Sequence, residues 1–400
     1  MKIMLIHWPN PGYNDPQQNI IPNGLYYIAA ILKEKGFDVY LNNCSEDINE
    51  DIKRIAPDLI GISCYTFNAA SVFELCDSIK KNNQNIKIIL GGPHATTLCD
   101  EILIRIASVD IIVNGEGEET FLELASGKAI KDIKGIAYRE KDQIKHNPPR
   151  EPTDIETLPI PARYYNYQRI ITSRGCPGAC IFCSTPQFWG RDIRFRSPES
   201  VIKEIELLNK NYGTSYFIFS DDTFTANKKR TIDICRLILE NGLKITWDCR
   251  SRVNFICKEQ LEWMKKAGCI SISYGIESGS QKILNNLNKH INLGQINKAT
   301  KNTKIHGMQL SFFLIVGSPG EDEQSIHETI EMLKNTRPHN IMVSIMNLTP
   351  DIALAKYVPI DLWFKKMTKP IYYTKELNIE KLEEFTKEIY LEFDKVRGHY

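Results

Sequence analysis

The chain has no long hydrophobic run: no apolar stretch approaches the roughly 20 residues that a membrane-spanning helix needs. The N-terminal MKIMLIHWPNPGYND carries one lysine, and its apolar stretch stops at Pro9, too short for the core of a secretory signal. An excess of charge is missing as well. Fifty Lys and Arg stand against 49 Asp and Glu, a formal net charge of +1, so nothing electrostatic favours nucleic acid or an anionic membrane as the main partner. No internal repeat or low-complexity tract is present. These absences point to a cytoplasmic, globular chain. At 400 residues it suits two domains with a short appendage.

A disulfide framework is also lacking. The eleven cysteines are an odd number in a long chain, and Cys44, Cys64, Cys76, Cys235 and Cys269 sit singly in apolar stretches, where a free thiol behaves as a small buried hydrophobe. One group is clustered: Ser173-Arg174-Gly175-Cys176-Pro177-Gly178-Ala179-Cys180-Ile181-Phe182-Cys183. Three thiols within eight residues can converge on one soft-metal site, and thiolates select zinc or iron–sulfur centres. A structural zinc site wants four closed ligands. No fourth Cys or His lies nearby; the next cysteine, Cys235, falls inside a helical pattern. Three ligands on a 4Fe–4S cube instead leave one iron open for chemistry.

The periodicity is that of an α/β protein. Short β-branched runs at Lys2–Ile6, Asp38–Leu41, Leu59–Ser63, Ile86–Leu90 and Asp110–Val113 alternate with helical patterns such as Gly24–Lys35. That pattern reads as an open, doubly wound (Rossmann/flavodoxin-like) parallel sheet over residues 1–130. Residues 131–165 read as a linker, in which a possible hairpin (Gly135–Glu140, then Gln143–His146) leads into Pro148, Pro149, Pro152, Pro159 and Pro161. Six further strand–helix repeats between Arg169 and Asn347 suggest a partial (β/α)6 barrel over 166–350, its chemistry on the loops after the strands. A short C-terminal helical tail, 351–400, is expected to follow.

The CxxxCxxC spacing, with Phe182 just before the third cysteine, resembles the radical S-adenosylmethionine (SAM) superfamily. The resemblance implies a 4Fe–4S cluster on Cys176, Cys180 and Cys183, whose open iron chelates SAM and cleaves it reductively to a 5′-deoxyadenosyl radical. It also implies SAM contacts from Phe182, from Asp222 in the Asp221-Asp222 pair, and from Arg250 as the cation facing the SAM carboxylate. Glu277 and Ser278 would supply acceptors, and the Ile315–Gly317 stretch would read adenine. Plainer readings exist for each: a helix N-cap for the carboxylates, a surface ion pair for Arg250, turn geometry for the glycine.

Ahead of this, Pro22-Asn23-Gly24-Leu25-Tyr26-Tyr27-Ile28-Ala29-Ala30, GGPHAT and NGEGEET resemble the cobalamin-binding domain of the cobalamin-dependent (class B) radical SAM enzymes. The resemblance implies cobalamin on the strand-end loops, at Ser63, Thr66, Gly91, Gly92, Pro93, His94, Glu116, Gly117 and Glu118. The Asp-x-His-x-x-Gly segment of mutase-type proteins is missing, so cobalamin is expected without a His lower ligand, and His94 reads equally as a loop-ordering residue. The implied activity is a methyltransferase, with the substrate radical methylated from methylcobalamin. The alternative keeps the cofactors but ends in cyclisation, rearrangement, oxidation or epimerisation; a non-catalytic metal-binding scaffold is the rival from another class. Expected partners are a small-molecule or peptide substrate and a reductant such as flavodoxin or ferredoxin. Leu348-Thr349-Pro350 stands where members of the family often have Pro-Gly-Thr, so substrate enclosure is expected to be small or unusual, with Tyr357, Trp363, Phe364, Tyr372 and Tyr373 as pocket or packing aromatics.

Overall fold

The computed structural model describes residues 1–10, 20–43, 48–372 and 377–397, and the chain divides into two compact units. Cys44 and Tyr373 lie outside the described residues. The first unit comprises residues 1–165 and 349–369. Its strands are β1 (Lys2–His7), β2 (Asp38–Asn43), β3 (Leu59–Ser63), β4 (Lys87–Gly91), β5 (Ile111–Val113), β6 (Ile136–Glu140) and β7 (Gln143–His146), in the order β2-β1-β3-β4-β5-β6-β7. The first five are parallel. Alternate side chains of β1 feed two different cores: Ile3 and Leu5 join Leu59, Ile89 and Phe121, whereas Met4 and Ile6 join Ile60, Ile62 and Phe73. A sheet covered on both faces needs apolar residues at every position, hence the unbroken apolar runs. At Gly61 a Cβ would sit 2.5 Å from the Phe121 ring, so only glycine lets the helix Glu118–Ala125 lie this close. The order 2-1-3-4-5 is the flavodoxin-like one, with its switch point, and thus its ligand crevice, beyond the carboxyl ends of β1 and β3.

Two expected boundaries are corrected. Residues 131–165 are not merely a linker: β6 pairs antiparallel with β5 and β7 with β6, closing an edge that β5 would otherwise expose. Ile155 and Leu158 of the proline-rich stretch then bury against Tyr27. The expected tail, 351–400, is divided. Residues 349–369 belong to the first unit, where Trp363 is buried, Phe364 stacks on Phe73 at 5.5 Å and Arg105 pairs with Asp361 at 2.7 Å. Trp363 and Phe364 are therefore packing residues, while Tyr357 is exposed.

The second unit comprises residues 166–348 and 370–400. Its parallel sheet runs β15-β14-β13-β12-β11-β8, with β8 at Arg169–Ile170, β11 at Tyr216–Phe219, β12 at Thr246–Ser251, β13 at Cys269–Glu277, β14 at Gln309–Val316 and β15 at Asn340–Ile345. A separate antiparallel ribbon pairs β9 (Ser173–Arg174) with β10 (Arg194–Phe195). One face of the large sheet is fully buried, with Phe217, Phe219, Trp247, Cys249, Ile272, Tyr274, Leu310 and Phe312; Phe219 stacks on Phe224 at 4.6 Å and meets Trp247 edge-on at 4.9 Å. The other face, from Tyr216, Ile218, Asp248, Arg250, Ser271, Ser273, Ser311, Phe313 and Ile315, is half-buried and largely polar. A face that alternates polar with apolar so regularly is built to receive something other than a helix. The helix Ile379–Arg397 buries Leu382, Phe385, Ile389 and Phe393, and its Tyr390 hydroxyl accepts from the Val343 N–H of the edge strand at 3.0 Å.

Arg196, just after β10, is fully buried with Glu204 and also donates to the Ile171 carbonyl at 3.0 Å and the Ser200 carbonyl at 3.1 Å. Removing one partner of such a pair strands a buried charge. Arg196→Met is expected to cost about 3–5 kcal/mol in urea unfolding, with most of the loss recovered when Glu204→Leu is added; an unchanged midpoint for the single variant would contradict this.

Candidate active site

The three clustered cysteines lie on one loop that leaves the sheet after β8. Asp221, fully buried at the carboxyl end of β11, accepts from the Thr172 N–H at 2.6 Å, from the Ser173 N–H at 3.0 Å and from the Thr172 hydroxyl. Gly175 has φ +101°, and a Cβ there would lie 2.6 Å from the Asp192 carbonyl; the β9–β10 ribbon thus demands glycine and bends the chain into the loop. Cys176 and Cys180 are buried and Cys183 half-buried. The Gly178 N–H donates to Cys176 Sγ at 3.4 Å, Thr223 Oγ1 lies 3.6 Å from the same sulfur, and Arg252 Nη1 donates to Cys180 Sγ at 3.3 Å. A segment from Leu287 to His290 straps the loop from the side: the Ile181 N–H donates to the Leu287 carbonyl at 3.2 Å and Asn288 Nδ2 to the Ala179 carbonyl at 2.8 Å.

Zn–S bonds of about 2.3 Å put the sulfurs of one tetrahedral ion some 3.8 Å apart. Among the described residues, the trio of candidate ligand atoms lying within 4.8 Å of one another is Cys99, Asp100 and His146, not the loop thiols. That trio is a surface His146–Asp100 ion pair at 2.7 Å beside a buried thiol. The three loop thiols are not drawn into one such tight group.

The remaining expected SAM contacts all come from the carboxyl edge of the same sheet. Asp222 accepts from Thr185 Oγ1 at 3.1 Å, and its pKa is pushed up to about 6, chiefly by burial, with Arg250 opposing the shift. Arg250 sits within β12 rather than after it, on the polar face, its guanidinium 5.9 Å from the Phe313 ring. Phe182 lies beneath Lys289 Nζ, 5.8 Å from the ring centroid. Glu277, with φ +71°, is buried in an ion pair with Lys289 at 2.6 Å. Ser278 turns into the protein, 3.3 Å from Thr329 Oγ1 and accepting from the Ser280 N–H at 3.1 Å. Ile315 is on the polar face, and Gly317 turns with φ +92° while its N–H donates to Glu321 at 2.5 Å. Asp222, Arg250, Phe182 and Ile315 thus face the open side, whereas Glu277 and Ser278 have internal partners. Asp221, Thr223, Arg252, Asn288 and Lys289 were not marked by the sequence; only Asp221, as half of a carboxylate pair, left a signal.

In the first unit the expected cobalamin residues gather at the strand ends. The Cys64 N–H donates to the Gly91 carbonyl at 2.8 Å, the His94 N–H to the Cys64 carbonyl at 3.3 Å, and the Gly115 N–H to Thr96 Oγ1 at 3.0 Å. Ser63 and Thr66 are nearly buried, and Glu116 and Gly117 half-buried. Gly92 has φ +97° and would place a Cβ 2.8 Å from the Cys64 carbonyl. Pro93 and His94 open a helix, Pro93–Thr97, and Glu118 opens another with its side chain buried. His94 is fully buried, with Nδ1 3.2 Å from Thr66 Oγ1, and burial holds its pKa down at about 3. The ring is held at that depth through its contact with Thr66. Asn68, at the switch point, donates to the Trp8 carbonyl at 2.7 Å and accepts from the Tyr65 N–H at 2.7 Å.

Residues 170–333 match the radical SAM superfamily and residues 14–125 the B12 binding domain. An uncharacterized methyltransferase of Pyrococcus horikoshii is 31% identical over 98% of this chain and 93% of its own length. The anaerobic magnesium-protoporphyrin IX monomethyl ester cyclase of Rubrivivax gelatinosus is 30% identical over 84% of this chain, which spans 66% of that protein. In fold, the chain is similar to the radical SAM methyltransferase TsrM of Kitasatospora setae, solved with cobalamin and a [4Fe–4S] cluster, with a TM-score of 0.73 at 17% identity over 88% of this chain and 73% of that one. The chain belongs to the cobalamin-dependent radical SAM enzymes, whose cofactors are a 4Fe–4S cluster, SAM and cobalamin. No helix among the described residues is long and apolar enough to cross a membrane.

Glu321 gives this site a pH signature. It is buried, accepts from the Gly317 and Ser318 N–H groups, and its pKa is pushed up to about 7 by burial. The folded state therefore holds this proton more tightly than the unfolded chain, and the stability it contributes below the ordinary carboxyl range is lost as pH rises through about 7. Glu321→Gln keeps an acceptor for both N–H groups without the charge. Its unfolding free energy is expected to match wild type near pH ~5 and exceed it by about 1–3 kcal/mol near pH ~8; a difference independent of pH would contradict the assignment.

Proposed function

We propose that this chain is a cobalamin-dependent radical SAM methyltransferase acting on a small-molecule or peptide substrate, with a flavodoxin- or ferredoxin-class protein as electron donor. The observation that carries the reading is the three-thiol loop, spaced for a cluster, at the carboxyl edge of a parallel sheet whose open face is polar. When bound, the cofactors supply one-electron cleavage of SAM and a transferable methyl group, and the protein supplies position and shielding.

In this reading Cys176, Cys180 and Cys183 ligate iron and leave one iron for SAM. Arg250 offers a cation for the SAM carboxylate, and Asp222 an acceptor for its ammonium group. Gly317 and Ile315 present backbone at a turn tied down by Glu321, while Glu277 and Ser278 act chiefly by fixing the end of β13 through Lys289 and Thr329. The switch-point loops of the first unit would hold cobalamin, with His94 kept neutral against Thr66 within the loop.

The likeness to the cyclase favours a second reading, in which the same cofactors end in ring closure without methyl transfer. Products separate the two. Turnover under anaerobic reduction is expected to give both 5′-deoxyadenosine and S-adenosylhomocysteine together with a product heavier by one methylene unit, all abolished in Cys180→Ala. Turnover with 5′-deoxyadenosine but no S-adenosylhomocysteine would overturn the methyltransferase reading and leave the cyclase-type one.

A further inference from the structure

Arg252 is a buried cation, only 6% exposed, for which no carboxylate partner is found among the described residues. It is the second inward arginine after Arg250, just past the end of β12. Nη1 donates to Cys180 Sγ at 3.3 Å, Nη2 donates to the Lys289 carbonyl, and Nε is buried without an acceptor. A guanidinium taken out of water needs a compensating anion. Within its hydrogen bonds, the one group able to carry negative charge is the sulfur of Cys180.

The surroundings hold the guanidinium at that sulfur. Gly178 leaves the room: a Cβ there would lie 2.9 Å from Nη1. The strap Leu287–His290 supplies the Lys289 carbonyl, and its own course is fixed by left-handed residues Asn288 (φ +53°) and His290 (φ +53°) and by the buried Lys289–Glu277 pair. The same strap takes the Ile181 N–H and the Ala179 carbonyl of the cysteine loop. Arg252 thus joins loop, strap and sheet at one sulfur, a placement more specific than packing alone requires.

We propose that Arg252 is a positioning residue that raises the reduction potential of the cluster through a charge-assisted hydrogen bond to the Cys180 thiolate. This rests on Cys180 being a cluster ligand. Hydrogen bonds to the sulfurs and nearby charge are among the levers that set iron–sulfur potentials. The step concerned is addition of one electron from the donor protein to the oxidised cluster, with no bond made or broken at Arg252. The reduced cluster carries one more negative charge, so a fixed cation beside a ligating sulfur stabilises it more than the oxidised form.

The test is an EPR-monitored redox titration of the anaerobically reconstituted protein. Arg252→Gln, with wild-type iron content, is expected to shift the cluster midpoint to a more negative value, and Arg252→Lys to shift it less. SAM cleavage by Arg252→Gln should fall with dithionite and recover with the stronger reductant titanium(III) citrate, a rescue that a purely structural role would not show. An unchanged midpoint in Arg252→Gln at full iron content overturns the proposal. If Arg252→Gln fails to hold the cluster, the charge-removing Arg252→Met decides: a lowered midpoint supports the role, and a wild-type midpoint overturns it. Full cluster retention in Cys180→Ala would instead overturn the ligand assignment on which the proposal rests.

Discussion

The carboxylate of Asp221 takes two backbone N–H groups and a hydroxyl from Thr172 and Ser173, and the cysteine loop hangs from that clamp. Three thiols in eight residues have no reason to hold a fixed shape by themselves. Their backbone is short, rich in glycine and proline, and without a fourth ligand to close it. The clamp fixes where the loop leaves the sheet, Gly175 and the β9–β10 ribbon fix how it turns, and the strap at Leu287–His290 fixes its far side. Each is an interaction between segments distant in sequence, so the site exists only once the sheet has formed. The parallel arrangement explains why those segments meet: every strand of the second unit delivers its following loop to the same edge.

The polar face of that sheet is the second consequence. Helix-facing residues are aromatic or branched and fully buried, while the alternating residues Asp248, Arg250, Ser271, Ser273 and Ser311 keep hydrogen-bonding capacity on the other side. Such residues would be costly in an ordinary core. Their presence sets this face apart from a packed core. The first unit solves a similar problem differently, with both faces of its sheet apolar and the polar groups confined to the loops at the β1/β3 switch point.

Much of this was legible in the sequence because it is local. The five strand runs of the first unit and the helix at Gly24–Lys35 lie within two residues of where the sequence places them, because alternation and periodicity are read from neighbouring residues. What was not legible is what depends on distant partners. Nothing near Arg252 or Lys289 distinguishes them from surface cations until β12 and the strap bring them to the cysteine loop. Glu277 pairs with Lys289 and Ser278 lies against Thr329, partners that no local signal announces. The proline-rich stretch looked like a connector because proline removes ladder donors, but β6 and β7 ahead of it complete a sheet edge. Residues 349–369 looked like a tail because they lack periodicity, and they pack through single aromatics such as Phe364 instead.

We propose that one chain carries both a cluster on Cys176, Cys180 and Cys183 and a cobalamin without a histidine lower ligand. Anaerobically purified protein, analysed for iron, sulfide and extracted corrinoid and examined by EPR in the cob(II)alamin state, tests it directly. About four irons and four sulfides with one cobalamin per chain are expected, and a cobalt signal lacking coupling to a nitrogen from the protein. Stoichiometric zinc in place of iron, or a cobalt signal split by a histidine nitrogen, would contradict it.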